Sequence, residues 1–342
     1  MGSVARSRSE SHASGGGACN LSHLDASHND LEDLEVSRLL KLETLVVSQN
    51  ALKTLNLEGS RLRTLKADGN ELETISCKQV PLYLERLDIS HNNFEFLPEW
   101  ITDAKSLHTI SADHNNLSHV PTEIFSCCNL MDLRLNHNLL VKFPDFLSQC
   151  HMKSLSLQYN RFENSPTISS GRFRGKHYSD LEMLNLSYNS LKSIPVSCDS
   201  IINLKSLLLS GNQLSDLRPH QPAQALQDRM PAPRLQRNQG ASRRFLSDSA
   251  FPEDAVVVRN ELESISSHIS KAHSLEKLYL HSNRLISIPK FSETNNLQVL
   301  DLACNKMHQL ELASIVPKDL TYLDLSANCD LKIDPTDFQH LW

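Results

Sequence analysis

The chain has 342 residues with 10 Gly, 14 Pro and 6% aromatic residues; about one residue in six is Leu, and the net charge is −6. A length of this order suggests roughly two ordinary domains, but Leu in such excess over the aromatic residues points instead to one elongated domain of small repeated units. The balance of 34 basic against 40 acidic residues leaves no electrostatic footprint for nucleic acid, and no stretch approaches the ~18 uninterrupted apolar residues of a membrane-spanning helix.

Residues 1–20, MGSVARSRSESHASGGGACN, read as a disordered Ser/Gly/Arg-rich tail. No apolar run follows its arginines, so it is not a secretory signal, and Arg6 stands where a myristoylation signal needs Ser or Thr. The eight Cys (19, 77, 127, 128, 150, 198, 304, 329) are scattered along the chain and read as thiols in a reducing compartment. Asn-Leu-Ser triplets at Asn20, Asn116 and Asn185 read as ordinary repeat residues in the absence of a signal peptide.

From residue 21 onward the pattern Leu-x-x-Leu-x-Leu-x-x-Asn-x-Leu recurs, with Asn at 29, 50, 70, 92, 115, 138, 160, 189, 212, 260, 283, 305 and 328. This spacing predicts an α/β repeat fold, a leucine-rich-repeat solenoid with a parallel β-sheet on its concave face and mostly extended or 3₁₀ convex segments. In LERLDISHNNF, Leu84, Leu87, Ile89 and Phe94 are expected to point inward while Asn92 turns the chain and bonds backbone groups of adjacent repeats. Repeats this short leave no room for a full outer helix. Pro98, Pro121, Pro144, Pro195 and Pro289 suit extended or 3₁₀ segments there.

Two departures interrupt the period. The step of 29 from Asn160 to Asn189 holds a Ser/Gly/basic loop, SPTISSGRFRGKHYSD, which lengthens without disturbing a core. The second departure, residues 217–259, carries 7 Arg, 5 Pro and no Lys, yet the spacing from Asn212 to Asn260 is 48, close to two ordinary steps. Either this is an Arg/Pro-rich insertion replacing one repeat and the strand of the next, or it is a stretch read in a wrong frame or from a retained intron; the kept spacing favours a wrong frame. If it is genuine, it is expected to split the solenoid into blocks 21–216 and 260–342, the second marginal alone. The insertion contributes +3, so the remaining chain carries −9.

No catalytic constellation stands out. His28, His91, His114 and His137 each precede a ladder Asn; set in a line rather than converging on one point, they do not form a metal site. Cys127, Cys128 and Cys150 lack a second ligand pair at zinc spacing and read as small buried hydrophobes, and Asp68-Gly69 is part of the repeat. What remains is the concave strand face, where residues i and i+2 of each strand point the same way. Its mixed charge with a few Tyr and Arg suits a protein partner. The candidate binding residues are Asp88, Arg134, Asn136, Tyr279, Asp301 and Tyr322.

The segments from Leu21 to Ile75, VPLYLERLDISHNNFEFLPEWI and VPKDLTYLDLSANCDLKID, with two short steps before Val80-Pro81, resemble the repeat region of the PH-domain leucine-rich repeat protein phosphatases. The resemblance covers roughly 21–216 and 260–342, and in that family ordinary repeats continue where 217–259 departs. It implies a parent in which a PH domain and these repeats are joined to a PP2C-type Ser/Thr phosphatase domain acting on kinases such as Akt and protein kinase C. It also implies a cytoplasmic location, peripheral at membranes or nuclear for the parent. No residue here matches the phosphatase's metal-binding aspartates, so Mn or Mg is expected only for the absent domain and no cofactor for this chain. The implied role is a non-catalytic scaffold that holds a kinase or adaptor near an active site. The alternative is a stand-alone leucine-rich-repeat adaptor in Ras-type signalling with no linked enzyme. The end at Trp342, without a convincing polar cap, is expected of a truncated repeat block.

Overall fold

The computed structural model describes residues 20–36, 38–57, 61–126, 129–144, 151–163, 180–193, 203–215, 252–265, 269, 272–291, 295–308, 310 and 317–333. The 29-residue step's loop, residues 216–251, Pro195, five of the eight cysteines and the final DPTDFQHLW segment lie at least largely outside them.

Short strands recur along the repeats: β1 (His23–Asp25), β2 (Thr44–Val46), β3 (Thr54–Leu57), β4 (Thr64–Lys66), β5 (Thr74–Cys77), β6 (Arg86–Asp88), β7 (Thr109–Ser111) and β8 (Asp132–Arg134). They continue as β9 (Ser154–Ser156), β10 (Met183–Asn185), β11 (Ser206–Leu208), β12 (Asp254–Val256), β13 (Lys277–Tyr279), β14 (Val299–Asp301) and β15 (Tyr322–Asp324). All except β3 and β5 join one parallel sheet of 13 strands, each paired in register with its neighbour. The middle residue of each strand is apolar and points inward, as Leu45, Leu65, Leu87, Ile110, Leu133 and Leu155 do. Leu84, Ile89 and Phe94 are fully buried too, as the repeat pattern requires. The result is a single hydrophobic cluster running from Val36 to Leu310, in which each repeat buries its apolar face only against the next.

The ladder asparagines hold the turns. Asn138 Nδ2 donates to the carbonyls of Ala112 (2.9 Å), Leu135 and Asn136 (both 3.1 Å), and its Oδ1 accepts from the backbone N–H of Leu117 at 3.0 Å. Each side chain thereby ties its own repeat to the preceding one and satisfies backbone groups that the turn would leave buried and unpaired. Closely similar bonds recur at Asn50, Asn92, Asn212 and Asn328.

The residue before each ladder Asn is left-handed, with φ between 53° and 67° in all thirteen repeats, from His28 to Ala327. None of the thirteen is β-branched, consistent with the high cost of that conformation for Val, Ile or Thr. His recurs here because it tolerates the left-handed region better than most side chains.

The solenoid is not divided at the Arg/Pro-rich stretch. Asp254–Val256, assigned from sequence to the irregular segment, forms β12 and pairs with both β11 and β13. Ala255 and Val257 are buried, and Asn260 Nδ2 donates to Leu209 O while its Oδ1 accepts from Leu214 N. Among the described residues, the repeat pattern therefore already holds from Pro252, eight residues before Asn260. Small β-branched and Ala side chains serve where Leu stands elsewhere, because only their inward direction and the phase of the Asn matter here.

The convex side varies. Pro98 and Pro121 are each followed by a 3₁₀ turn, Glu99–Thr102 and Thr122–Ser126, as the prolines suggest. The repeats after Asn50 and Asn70 instead carry convex strands: β3 and β5 form a separate two-stranded parallel sheet, which Glu35 of the preceding repeat joins only by an isolated bridge to Asn56.

Candidate protein-binding face

The outward residues of the 13-stranded sheet form two charged clusters separated by an uncharged strip. In the first, Asp88, Ser111 and Arg134 lie side by side on β6, β7 and β8. Arg134 donates through Nε and Nη2 to Asp132 Oδ2 at 3.1 and 2.9 Å. That hydrogen bond and the Asp132 charge raise the Arg134 pKa, with Asp113 and Asp88 adding to it, so the guanidinium stays charged. Asp88 is fastened by Ser90, whose backbone N–H donates to Oδ1 at 3.1 Å. Asp113 accepts from the backbone N–H of Asn136 at 2.6 Å, and its own burial pushes its pKa up.

The second cluster spans β12 to β15. Tyr279, Asp301 and Asp324 are in register, and Lys277 Nζ lies 3.2 Å from Asp254 Oδ1. Asp301 accepts from the Ala303 N–H at 3.0 Å and stands 4.0 Å from His281 Nε2. Tyr322, 52% exposed, donates its hydroxyl to Asp324 Oδ2 at 3.3 Å, and the Asp324 charge is the largest influence raising the Tyr322 pKa. Between the clusters, β9, β10 and β11 present Ser154, Ser156, Met183, Asn185, Ser206 and Leu208. At about 4.8 Å per strand this leaves about 19 Å from β8 to β12.

The six residues singled out from sequence thus fall into two groups, Asp88, Arg134 and Asn136 in or beside the first cluster and Tyr279, Asp301 and Tyr322 in the second. Asn136 differs from the rest. It is buried, and its Oδ1 accepts from Ser156 Oγ at 2.7 Å and from the Gln158 N–H at 3.0 Å. Its visible work is to join repeats. Asn185, one of the three Asn-Leu-Ser positions, is likewise buried, donating to Gln158 Oε1 and accepting from the Ser187 N–H. Sequence reasoning missed Asp254, Val256, His281 and Asp113. The first two were hidden inside the Arg/Pro-rich stretch, although a ladder Asn at 260 implied a strand six residues before it. The other two sit two residues past their strands, where the face continues into the turn.

Along one rim runs a stack of rings. His91, His114, His137, Tyr159 and Tyr188 lie with successive centroids 4.2, 3.9, 4.2 and 4.3 Å apart and interplanar angles of 12°, 12°, 16° and 3°. The left-handed turn aims each ring along the solenoid axis onto the next. Burial, followed by the charges of His137 and His91, holds the His114 pKa below its ordinary value. Glycine stands at the next turn position on either side. The Gln49 side chain lies over Gly69, and the Tyr188 ring lies over Gly211. Among the described residues no group of three or more His, Cys, Asp or Glu has the arrangement to hold a metal ion, and no helix is long and apolar enough to cross a membrane.

Leucine rich repeat family models match residues 167–214 and 273–329, with a further match at 83–104. Among solved structures, a leucine-rich-repeat protein of Leptospira interrogans superposes with a TM-score of 0.68 at 23% identity, covering 92% of this chain and 74% of that one. YopM from Yersinia enterocolitica gives 0.61 at 23% identity, covering 92% and 61%; both show the fold alone. By sequence the chain is 34% identical over 331 residues to the Drosophila melanogaster "Protein phosphatase PHLPP-like protein", a match covering 93% of this chain and 34% of that protein. It is 29% identical over 323 residues to the Rattus norvegicus "PH domain leucine-rich repeat protein phosphatase 1", covering 92% and 18%. The chain therefore spans about a third or less of the length of these relatives. It folds as a leucine-rich-repeat solenoid and is similar over nearly its whole length to part of the proteins named PH domain leucine-rich repeat protein phosphatase.

Proposed function

We propose that this chain is the non-catalytic, protein-binding repeat region of a PP2C-type Ser/Thr protein phosphatase that acts on kinases in cytoplasmic signal transduction. In this reading the chain is a scaffold with no cofactor of its own, and Mn or Mg belongs to the phosphatase domain. Holding a kinase such as Akt or protein kinase C, or an adaptor, against the concave face raises its concentration at a linked active site.

The observation that carries this is the pair of charged clusters about 19 Å apart on one continuous sheet, each with a fixed charge and, in the second, exposed tyrosine. Arg and Tyr are the residue types that dominate binding energy at protein interfaces. Fastening them in advance lowers the ordering cost on association. The test is calorimetric titration of the chain with purified Akt and protein kinase C. Binding by at least one, weakened tenfold or more by Arg134→Glu and by Tyr279→Ala with Tyr322→Ala, is the expected result. Absence of binding by both kinases, or binding indifferent to these substitutions, overturns the reading.

A further inference from the structure

The outward face of the 13-stranded sheet is polar along most of its length. From β4 to β10 of that sheet the outward residue that ends each strand is Lys66, Asp88, Ser111, Arg134, Ser156 and Asn185 in turn. The next three strands change character. Leu208, Val256 and Tyr279 stand side by side at the same position on β11, β12 and β13, all partly exposed. Val299, also partly exposed, sits on β14 level with Lys277. Contiguous exposed apolar residues rimmed by charge mark an interaction site, whereas single ones such as Val46, between Asp25 and Lys66, are ordinary surface.

Carboxylates follow the patch. Asp301 and Asp324 continue the same row on β14 and β15. Each is set by its own turn, Asp301 Oδ1 accepting from the Ala303 N–H at 3.0 Å and Asp324 Oδ1 from the Ser326 N–H at 2.8 Å. The Ser326 bonds hold the Asp324 carboxyl below its ordinary pKa, so it stays charged. Lys277, the one lysine or arginine on β12 to β15, is drawn to Asp254 instead, at 3.2 Å. Asp301 faces His281 Nε2 at 4.0 Å, and Tyr322 donates to Asp324 Oδ2. A carboxylate has about four lone-pair positions, so both can still accept from a cation arriving from outside.

We propose that β11 to β15 bind an extended segment of the partner protein in which an apolar side chain is followed four residues later by arginine or lysine. This rests on the concave face being the binding face, but not on the partner's being a kinase. Spacing selects the interval. From Val256, the middle of the patch, to the midpoint between Asp301 and Asp324 is about 12 Å at the spacing of neighbouring strands. Residues i and i+4 of an extended chain lie about 13 Å apart and point the same way, which leaves residue i+2 over Tyr279 and Val299. Burial of the apolar side chain anchors the segment. The carboxylates decide the sign of its charge, because an acidic residue at that place would meet like charge.

The test uses the whole chain and the labelled peptide acetyl-Ser-Phe-Ser-Val-Ser-Arg-Ser-amide, with one control carrying Glu in place of Arg and another Ser in place of Phe. Fluorescence anisotropy reads affinity, and the methyl resonances of Leu208 and Val256 read location. The first peptide is expected to bind and to shift those resonances, and each control to bind at least tenfold more weakly. Leu208→Ser with Val256→Thr should weaken binding at least fivefold. Asp301→Asn with Asp324→Asn should do the same, since Asn keeps an oxygen for each turn bond while losing the charge. Far-ultraviolet circular dichroism should be unchanged in all four substitutions, and Arg134→Glu in the other cluster should leave the peptide bound. No binding up to about 1 mM, equal binding of the glutamate peptide, or bound peptide that leaves the Leu208 and Val256 methyls unmoved overturns the proposal. Kinase binding without peptide binding overturns it too and leaves the scaffold reading standing. Peptide binding where neither kinase binds supports it and overturns only the choice of kinase.

Discussion

The two sides of this solenoid respond differently to the same change in repeat length. On the concave side, strands separated by ladder steps of 20, 23, 29 or 48 residues pair in one register from β1 to β15. On the convex side, two neighbouring repeats make strands while others make 3₁₀ turns or extended chain. The difference shows where the information lies. Inward leucines and the ladder Asn specify the strand and its turn by direct bonds between repeats, whereas the outer segment has only to span the distance back. Length variation collects where no long-range bond depends on it.

The sharpest way to break this contrast is to remove a ladder bond. Asn138→Ala should lower the unfolding free energy by about 3–5 kcal/mol, since it leaves several buried backbone groups unpaired at once. Urea denaturation followed by circular dichroism measures this, and a loss below about 1 kcal/mol would mean that the concave side is not held as described. The turn position gives the next effect. Gly211→Ala should cost about 2 kcal/mol, because the new Cβ would stand 2.6 Å from the Tyr188 ring as well as taking up a left-handed backbone. Gly69→Ala should cost about 1 kcal/mol, as its nearest neighbour is the movable end of Gln49. Equal melts for the two variants would show that the ring does not constrain that turn.

On the convex side, Trp100→Phe removes the indole N–H bond to Ile75 O and little volume, with an expected cost of about 1 kcal/mol. The smallest effect is electrostatic. His114 has a lowered pKa in the folded chain, so between that value and the ordinary one of about 6.5 the unfolded chain binds more protons. Stability contributed by the neutral ring is present above pH 6.5 and is lost as the pH falls. The urea midpoint should drop between pH 7.5 and 5.5, and His114→Asn, which suits the left-handed turn, should drop less. An equal drop in both proteins would remove His114 as the cause.

Much of the concave side was legible in sequence because the rule there is stereochemical and recurs. The ladder asparagines, the inward Leu87 and Ile89, and the outward Asp88 and Arg134 all follow from phase alone. β12 was not legible, since Ala255 and Val257 stand in place of leucine within an Arg/Pro-rich text. The convex strands were not legible either. TLNL and TISC read as ordinary repeat sequence, and their pairing lies between repeats rather than within the period of either. Asn136 was chosen by its outward position in the period, but two residues past the strand the chain is already turning, and its amide is drawn into bonds with Ser156 and Gln158. The histidines were visible as a series, yet Tyr159 and Tyr188 extend it because ring shape and turn conformation, not ionisation, define the series.

The ring stack also sets how the solenoid bends. Centroid spacings of 3.9 to 4.3 Å are shorter than the roughly 4.8 Å between strands, so this rim is already closed to contact and resists compression, though it parts under tension. Stiffness is therefore uneven along the axis. The span from His91 to Tyr188 behaves as a strut, and Gly69 and Gly211 mark the joints at its ends. The first charged cluster rides on the strut, while the second lies beyond the Gly211 joint. A partner gripping both clusters would adjust their relative tilt at that one joint, leaving the geometry within each cluster unchanged.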